Sequence, residues 1–406
     1  MLKYSGTKND RLREQATFVK NIDFLFCSSF LKMKEINDII EAYHTALANN
    51  IRMALATVVK VEGSSYRNAG ARMLVTEDGR LTGAISGGCL EGDALRKALL
   101  AIHQQKNKLV TYDTGNEDTS EFGVQLGCNG IVHILFEYID TNNPNNAAAL
   151  LEQLQHSRQE AIVVTLFSTE HRSEQRGTVF LIKENFIAPS HTDISMLADS
   201  IRLAKHQKQS FLKATQIEGV PMEALVEYIA PATHLVIAGA GNDAKPVVEA
   251  AAILGWKTTV ADGRATHAVP QRFPKAAQVI VAAPNQVLEH IAIDPSTVFV
   301  LMTHNYNYDL ALLKLLLETN TPYIGMLGPK TKLERMFADM EQAGMVIDEL
   351  QRKRIYGPVG LHIGAETSEE IAISIVAEIK TVLSEKTGIP LKFLTTKIHG
   401  DTPVIP

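Results

Sequence analysis

Residues 235–251 read LVIAGAGNDAKPVVEAA, a hydrophobic strand that passes through a glycine-rich turn into a helix. Gly239 permits the tight turn, and Gly241 lets a phosphate approach the backbone, as in the dinucleotide-binding fingerprint. Asp262 ends the next strand, in WKTTVADGR, where a ribose diol would be bound. The stretch predicts a binding site for an anionic ligand at the start of the helix. The alternative is a glycine turn that only packs a helix on a sheet.

Strands and helices continue to alternate from His234 to about Thr387. The strand-like runs are rich in Val, Ile and Leu, as expected of strands covered on both faces; they are LVIAGAG, TTVADG, QVIVAAP, VFVLMTH and YIGMLG. The pattern predicts an α/β fold with a C-terminal doubly wound, Rossmann-like parallel sheet. Ligands of such sheets bind beyond the carboxyl ends of the strands, so we expect a site at GAGN (239–242), THNY (303–306) and GMLGPKTK (325–332).

Two of these strand ends carry further candidate residues. His304 follows an apolar run, and its imidazole could contact a phosphate or transfer a proton near neutral pH, or it could only hold its own loop. Gly325 and Gly328 are expected to leave backbone amides exposed, while Lys330 and Lys332 add positive charge at a helix start. We expect an anion contact there, with a solvated lysine pair as the alternative.

A mixed α+β domain is predicted before the Rossmann-like sheet. A helical pattern begins at Met33, and strands follow in MALATVVKVEG (53–63) and in ARMLVTEDGRLTGAI (71–85), where Asp78-Gly79 marks a hairpin turn. The expected organisation is a disordered extension at 1–32, an N-terminal domain at 33–230, the Rossmann-like domain at 231–387 and a tail at 388–406.

One stretch of the N-terminal domain faintly echoes another. Residues 161–182 and 54–75 both read as strand, polar loop with an arginine, glycine, strand. The echo indicates either a duplication or the common pattern of two hairpins, and we favour the second interpretation.

Two cysteines of the N-terminal domain lie beside glycines, in ISGGCLEGD (85–93) and VQLGCNGIV (124–132). Cys89 precedes a helix, whose dipole lowers the pKa of a thiol, and Cys128 lies on a tight bend. If the loops meet, the two thiols could carry a persulfide, form a transient disulfide or contact a soft metal centre. Neither has a second Cys or His at ligand spacing, so structural zinc is not expected. Small buried packing residues are the alternative.

The loop GSSYRNAGAR (63–72) contains Arg67 and Arg72 beside two serines. Such a cluster suits a phosphate or a carboxylate. A solvated hairpin loop is the competing interpretation.

Composition excludes several classes of partner. The chain has 406 residues and a net charge of −5 without a basic stripe, which argues against nucleic acid. Three cysteines indicate a reducing compartment. No apolar run approaches the roughly 18 residues of a membrane span, so we expect a cytoplasmic protein without a membrane partner.

These segments together resemble the xanthine dehydrogenase accessory family, which is related to the accessory proteins of carbon monoxide dehydrogenase. The matching stretches lie in the family's order and cover most of the chain from Met53 to Ile379. They are ATVVKVEGSSYRNAGARMLVTEDGRLTGAISGGCLEGD (56–93), FGVQLGCNGIVHILFE (122–137), VIAGAGNDAKPVV (236–248), VFVLMTHNYNYDLALLKLLL (298–317), YIGMLGPKTKLERM (323–336) and GPVGLHIGAETSEEIAISIVAEI (357–379).

The resemblance implies a molybdenum cofactor chaperone that is non-catalytic or weakly catalytic. Such a protein would bind the pyranopterin cofactor, with or without an attached nucleotide, and protect it while a cysteine desulfurase installs a sulfur ligand. It would then deliver the cofactor to an apo molybdenum hydroxylase of the xanthine dehydrogenase type, and we expect a homodimer. The alternatives are an NAD(P)-dependent oxidoreductase that uses the Rossmann-like domain, or a scaffold that serves only for docking.

The family's motif positions carry over to particular residues of this sequence. They are Cys89, Cys128, Gly239, Gly241, Ala244, Thr303, His304, Gly325 and Gly328. The chain departs from the family pattern where it has Tyr66 and Asn68 in a loop that usually contains proline, and Asn242 where histidine is common. Pro329 and Lys330 replace arginines, which keeps a positive charge but not two-pronged hydrogen bonding.

Overall fold

The computed structural model describes residues 32–88, 90–113, 130–155, 158–173, 175–183, 186–187, 195–395 and 404–405. These residues form one five-stranded and two six-stranded sheets. None of the helices described is long and apolar enough to cross a membrane. Of the predicted N-terminal extension, all but its last residue lies outside the described residues.

The first sheet belongs to a unit that begins with helix α1. The elements are α1 (Lys32–Ala48), β1 (Met53–Gly63), β2 (Arg72–Thr76), β3 (Leu81–Gly83), α2 (Glu91–Gln104), β4 (Lys108–Asp113) and β5 (Gly130–Tyr138). The strand order is β3-β2-β1-β5-β4, and neighbouring strands are antiparallel. The predicted Asp78-Gly79 turn joins β2 to β3. Helix α2 packs on the sheet through buried residues that lie on one face: Ala94, Ala98, Ala101 and Ile102.

A second unit follows, and its strands have the same order in the sheet. Its elements are α3 (Ala147–Glu152), β6 (Ala161–Phe167), β7 (Gly177–Lys183), β8 (Phe186–Ile187), α4 (Ala198–Gln207), β9 (Phe211–Ile217) and β10 (Val220–Ile229). The strand order, β8-β7-β6-β10-β9, matches that of the first unit strand for strand. Near the C-terminus, β17 (Val404–Ile405) adds a parallel strand to the edge of β9.

The correspondence of the two units extends to single backbone angles. Gly70 lies two residues before β2 and Gly177 is the first residue of the equivalent β7, with φ of 90° and 91°, where a side chain would be strained. Gln105 and Lys208 end the equivalent helices with φ of 50° and 52°. Two hairpins that merely share a sequence pattern would not be followed by helices that end in the same backbone conformation.

The same hydrogen bond also recurs in both units. Asn107 Oδ1 accepts from the Tyr138 amide at 3.1 Å, and Ser210 Oγ accepts from the Tyr228 amide at 3.1 Å. The strands involved read FEYI (136–139) and VEYI (226–229). We therefore attribute the N-terminal half to a duplication, and the two-hairpin interpretation favoured from the sequence is too narrow.

The two antiparallel sheets pack face to face. Their apolar contact includes two equivalent pairs, Leu109 with Leu212 and Leu135 with Leu225, and is completed by Val59, Ala69 and Phe167. Arg72 of β2 donates to Glu227 of β10 at 2.6 and 3.2 Å, and each side chain is 1% exposed. Glu137, which corresponds to Glu227, accepts from the amide and hydroxyl of Thr178, and burial raises its pKa. Each buried glutamate thus binds the opposite sheet, as in a two-fold interface.

The C-terminal half forms a Rossmann domain, as predicted. Its sheet consists of β11 (His234–Ala238), β12 (Lys257–Asp262), β13 (Gln278–Val281), β14 (Thr297–Leu301), β15 (Ile324–Met326) and β16 (Ile355–Tyr356). All six strands are parallel in the order β13-β12-β11-β14-β15-β16, so the order reverses between β11 and β14. Such a switch point opens a crevice at the carboxyl ends of the strands.

Helices cover both faces of this sheet. Helices α5 (Ala244–Ile253) and α9 (Ser368–Leu383) pack on one face, and α6 (Tyr306–Leu317) and α7 (Lys330–Gln342) pack on the other. The short helix α8 (Glu349–Lys353) precedes β16. Strands β11 and β14 are buried at every residue, which explains their unbroken apolar runs.

His234 at the start of β11 makes folding sensitive to acid. Burial, together with Arg158 and Lys257, lowers its pKa from 6.5 to about 4. The unfolded chain therefore takes up a proton near pH 6.5, whereas the folded chain does not until near pH 4. The free energy of unfolding contributed by this site is fully present above pH 6.5 and is lost as the pH falls to 4, by up to about 3 kcal/mol.

We expect His234→Asn to reduce this pH dependence, because asparagine takes up no proton. Urea denaturation of the wild type and the variant at several pH values between 7 and 4 measures the difference. Equal slopes of unfolding free energy against pH in the two proteins would contradict the assignment to His234.

Candidate functional site

The crevice at the switch point is built by close packing of two strand ends. Gly239 has a φ of 124°, and a side chain on it would collide with the backbone carbonyl of Met302. The Gly239 amide donates to Ala261 at 2.7 Å, and the Met302 amide donates to Ala238 at 2.7 Å. Gly239 is thus required for packing at the switch point, whatever the crevice binds.

Asp262, predicted to bind a ribose diol, is already fully engaged in this conformation. Its side chain is buried and accepts from the Ala240 amide at 2.8 Å and from the Arg264 amide at 2.8 Å. The Arg264 guanidinium adds two bonds of 2.9 and 2.7 Å. Burial would raise the pKa of Asp262, but the bonds from Arg264 and Ala240 outweigh it and lower the pKa. A diol would have to displace Arg264, whose side chain is 50% exposed.

A carboxylate lies at the predicted phosphate seat. The Asp243 side chain lies against Gly241, where a β-carbon would collide with it. Its other oxygen is 2.7 Å from His304 Nε2. His304 has a φ of 58°, an uncommon backbone conformation for a side-chain-bearing residue, and its side chain is 66% exposed. A ligand phosphate could enter only if the Asp243 side chain turned away from the glycine.

Arg272 braces the glycine turn from the outside. It donates to the carbonyls of Ala240 at 2.7 Å and His267 at 2.8 Å, and to Asn242 Oδ1 at 3.0 Å. Asn242 therefore has a structural partner in this conformation. Sequence reasoning missed both Arg264 and Arg272. Arg264 follows Asp262 in the motif ADGR and could have been found there, whereas no local signal marks Arg272.

The late glycine loop requires one correction. The exposed amide expected at Gly325 is not found, because this residue lies buried within β15, between Val300 and Tyr356 of the neighbouring strands. Its lack of a side chain is explained by Val359 and Tyr323, which leave no room for one. Gly328 does lie after the strand, with a φ of 127°.

The two lysines of this loop differ in their surroundings. Lys330 at the start of α7 is 77% exposed, and its ion pair with Glu334 is long, at 3.8 Å. Lys332 instead points inward and donates to Asp309 Oδ2 at 2.7 Å and to the Leu327 carbonyl at 3.1 Å. Only Lys330 is placed to meet a ligand anion.

Asp309 joins two loops of the crevice, although no motif in the sequence marks it. Its side chain is fully buried and accepts from Thr303 Oγ1 at 2.6 Å as well as from Lys332. The loop after β14, which carries His304, is thereby tied to the start of α7, which carries Lys330.

The two arginines of the β1–β2 loop are predicted to bind an anion, and one of them is not accessible. Arg72 is 1% exposed and forms the buried ion pair with Glu227, so the prediction for Arg72 is wrong. Arg67, which is partly exposed, pairs with Glu35 of α1. Glu35 also accepts from the Arg72 amide at 3.0 Å and so fixes the loop at both arginines.

Cys89 and Cys128 lie outside the described residues, and their predicted role stays a prediction. The residues on either side of Cys89 are held by Ser86, whose hydroxyl accepts from the amides of Gly88 and Leu90 at 3.2 Å each. Ser86 also donates to Glu91 in the first turn of α2. Across the part of the chain that the structure describes, no group of three or more His, Cys, Asp or Glu residues could hold a metal ion.

The fold and the crevice define a two-part protein, in which a duplicated antiparallel unit precedes a Rossmann domain with a crevice at its switch point. Residues 235–379 match the family model described as the XdhC Rossmann domain, and residues 46–113 match that of the XdhC and CoxI family. The chain belongs to the XdhC and CoxI family, and the resemblance inferred from its motifs is confirmed.

Similarity to individual relatives extends over most of the chain. It is 32% identical over 329 residues to a Bacillus subtilis strain 168 protein named as a probable xanthine dehydrogenase subunit, covering 80% of this chain and 91% of the relative. It is 23% identical to the molybdenum cofactor insertion chaperone PaoD of Escherichia coli strain K12, with 83% and 85% covered. A Bacillus halodurans crystal structure described as a xanthine dehydrogenase matches with a TM-score of 0.68 and 29% identity, with 86% and 97% covered.

Proposed function

We propose that this protein binds molybdenum cofactor, protects it during sulfuration and delivers it to a hydroxylase of the xanthine dehydrogenase type. The observation that carries the proposal is the similarity, over about four fifths of the chain, to relatives named for xanthine dehydrogenase and for molybdenum cofactor insertion. In this proposal a cysteine desulfurase supplies the sulfur, the apo-hydroxylase receives the cofactor, and the chaperone acts in the cytoplasm as a homodimer. The cofactor is cargo, and the protein itself performs no catalytic step.

The residues around the two candidate regions suit the chemistry of this cargo. Molybdenum cofactor is a pyranopterin that carries a phosphate and a metal-binding dithiolene, and thiolates are soft ligands for such a centre. Cys89 follows a loop that Ser86 already holds in place. Lys330 and the half-exposed Arg264 offer positive charge to a phosphate at the crevice. We propose that the cysteines bind the metal end and that these cations bind the phosphate.

An NAD(P)-dependent oxidoreductase is less well supported by the crevice. Such an enzyme needs an acceptor for the ribose diol, but both oxygens of Asp262 are bonded to Arg264 or Ala240. It also needs an open phosphate seat, where the Asp243 carboxylate lies against Gly241. Saturable binding of NADH with turnover in a fluorescence titration would favour the oxidoreductase instead.

Substitution of both cysteines tests the cargo proposal directly. We expect wild-type protein mixed with molybdenum cofactor to retain it on a sizing column, and Cys89→Ala with Cys128→Ala to reduce the retained cofactor about tenfold or more, because soft ligands are lost. The chain's third cysteine supplies a matched control, Cys27→Ala, which should retain cofactor like the wild type. Equal retention by the double variant and the control would contradict the role of the two thiols.

A further inference from the structure

An exposed aromatic ring lies beside the loop that contains Cys89. Tyr66 lies in the β1–β2 loop and has a large hydrophobic ring, yet the residue is 65% exposed. One side of the ring rests on Gly87: a β-carbon at Gly87 would lie 3.2–3.3 Å from three atoms of the ring. The ring is therefore seated on the backbone of the Cys89 loop, with much of its surface open to solvent.

Both loops that form this contact are held in place. On the Tyr66 side, Arg67 pairs with Glu35, and the Gly70 amide donates to the Val58 carbonyl at 2.7 Å. On the Gly87 side, Ser86 binds the amides of Gly88 and Leu90. A ligand that stacks on Tyr66 would meet a surface that is already ordered, which lowers the entropic cost of binding.

The duplication provides an internal comparison for this residue. The equivalent glycines Gly70 and Gly177 align Tyr66 with Ser173 of the second unit, four residues before the glycine in each case. The second unit forms the same five strands in the same order without an aromatic ring at this position. The fold that the two units share therefore does not require an aromatic side chain at this position.

The connections of the first unit also differ from those of the second at this edge. The loop that carries Tyr66, the loop that carries Gly87 and the β4–β5 connection all leave the sheet at the end where Gly63 pairs with Gly130. The β4–β5 connection spans residues 114–129, whereas in the second unit Glu218 and Gly219 suffice to join β9 to β10.

We propose that the open face of Tyr66 is a stacking platform for the flat pterin ring of the bound cofactor. The proposal rests on the function proposed above and adds the site for the ring system, in the N-terminal half rather than in the Rossmann crevice. Aromatic side chains bind flat heteroaromatic rings through their faces. Cys89 follows Gly87 by two residues in the sequence, and its role as a ligand stays a prediction.

The test uses 6-carboxypterin as a fluorescent probe, titrated with the full-length protein. We expect Tyr66→Ala to weaken binding of the probe about tenfold, since stacking on one aromatic ring has an effect of this size. Tyr66→Phe retains the ring and should bind within about twofold of the wild type. Ser173→Ala, at the equivalent position of the second unit, is the matched control and should not change the affinity. Gly87→Ala displaces the ring and should weaken binding.

The outcomes separate this proposal from the proposed function. Probe binding that is unchanged in Tyr66→Ala, or no probe binding by the wild type, overturns the platform even if molybdenum cofactor is retained on the sizing column. Probe binding that depends on Tyr66, in a protein that retains no molybdenum cofactor, supports the platform and overturns the chaperone function alone. Circular dichroism of each variant confirms that it is folded.

Discussion

Replacement of Arg72 by methionine is expected to lower the free energy of unfolding by about 3–5 kcal/mol. Arg72 donates two hydrogen bonds to Glu227 between the two antiparallel sheets, and both side chains are 1% exposed. Without the arginine, the Glu227 carboxylate would have to remain buried without its main compensating charge or take up a proton. Urea denaturation followed by circular dichroism measures the loss.

Two further variants make this prediction specific. Arg72→Met combined with Glu227→Leu removes both charges and should recover much of the lost stability, because a buried ion pair adds little over well-packed apolar residues. Arg52→Met is the matched control, since Arg52 pairs with Glu77 at the surface with 41% and 44% exposure, and it should lower the stability far less than Arg72→Met does. A loss in Arg72→Met no larger than in this control would contradict the role of the buried pair.

The second large effect is expected at Asp309. Asp309→Ala should lower the free energy of unfolding by about 3 kcal/mol, because Lys332 loses its counter-charge and Thr303 loses the closer of its two acceptors. It should also weaken retention of the cargo, since Asp309 ties the His304 loop to the start of α7. Denaturation and the sizing-column assay measure the two effects.

A charge on the α7 surface supplies the control for Asp309. Glu334 is 58% exposed and pairs only loosely with Lys330, so Glu334→Ala removes a carboxylate without breaking a buried network. We expect a change below about 0.5 kcal/mol. Losses of equal size in the two variants would show that Asp309 has no special structural role.

The Rossmann half could be predicted from sequence because its signals are local. Strands such as β11 and β14 are buried on both faces, so their sequences are continuous runs of apolar residues. Gly239 marks the turn because the backbone there has a positive φ that favours glycine. This requirement is the same whether the turn serves packing or ligand binding. The right-handed connections usual in such sheets then restrict the strand orders that the chain can adopt.

The state of the candidate site could not be predicted in the same way. Whether Asp262 is free depends on Arg264 folding back onto it, and whether Lys332 faces solvent depends on Asp309, which is 23 residues away. A loop with two arginines favours an anion site, and this pattern wrongly includes Arg72. Its true partner, Glu227, lies 155 residues further along the chain.

The duplication illustrates a further limit of sequence reasoning. The two units keep the same strand order, and in each the equivalent helix ends on a residue in the left-handed backbone conformation, Gln105 or Lys208. Neither feature can be recognised from the amino acids at the equivalent positions. The clearest shared stretch is EYI, at 137–139 and 227–229. Backbone geometry can persist while side chains change, so the structure reveals the repeat more clearly than the sequence does.

Whether the protein carries molybdenum cofactor is tested most directly by the small molecule that copurifies with the native protein. Mass spectrometry of that molecule, with metal analysis of the same sample, should find a phosphate-bearing pyranopterin, and the amount of pterin should fall about tenfold or more in the double variant Cys89→Ala, Cys128→Ala. A nicotinamide nucleotide in place of a pterin would contradict the account.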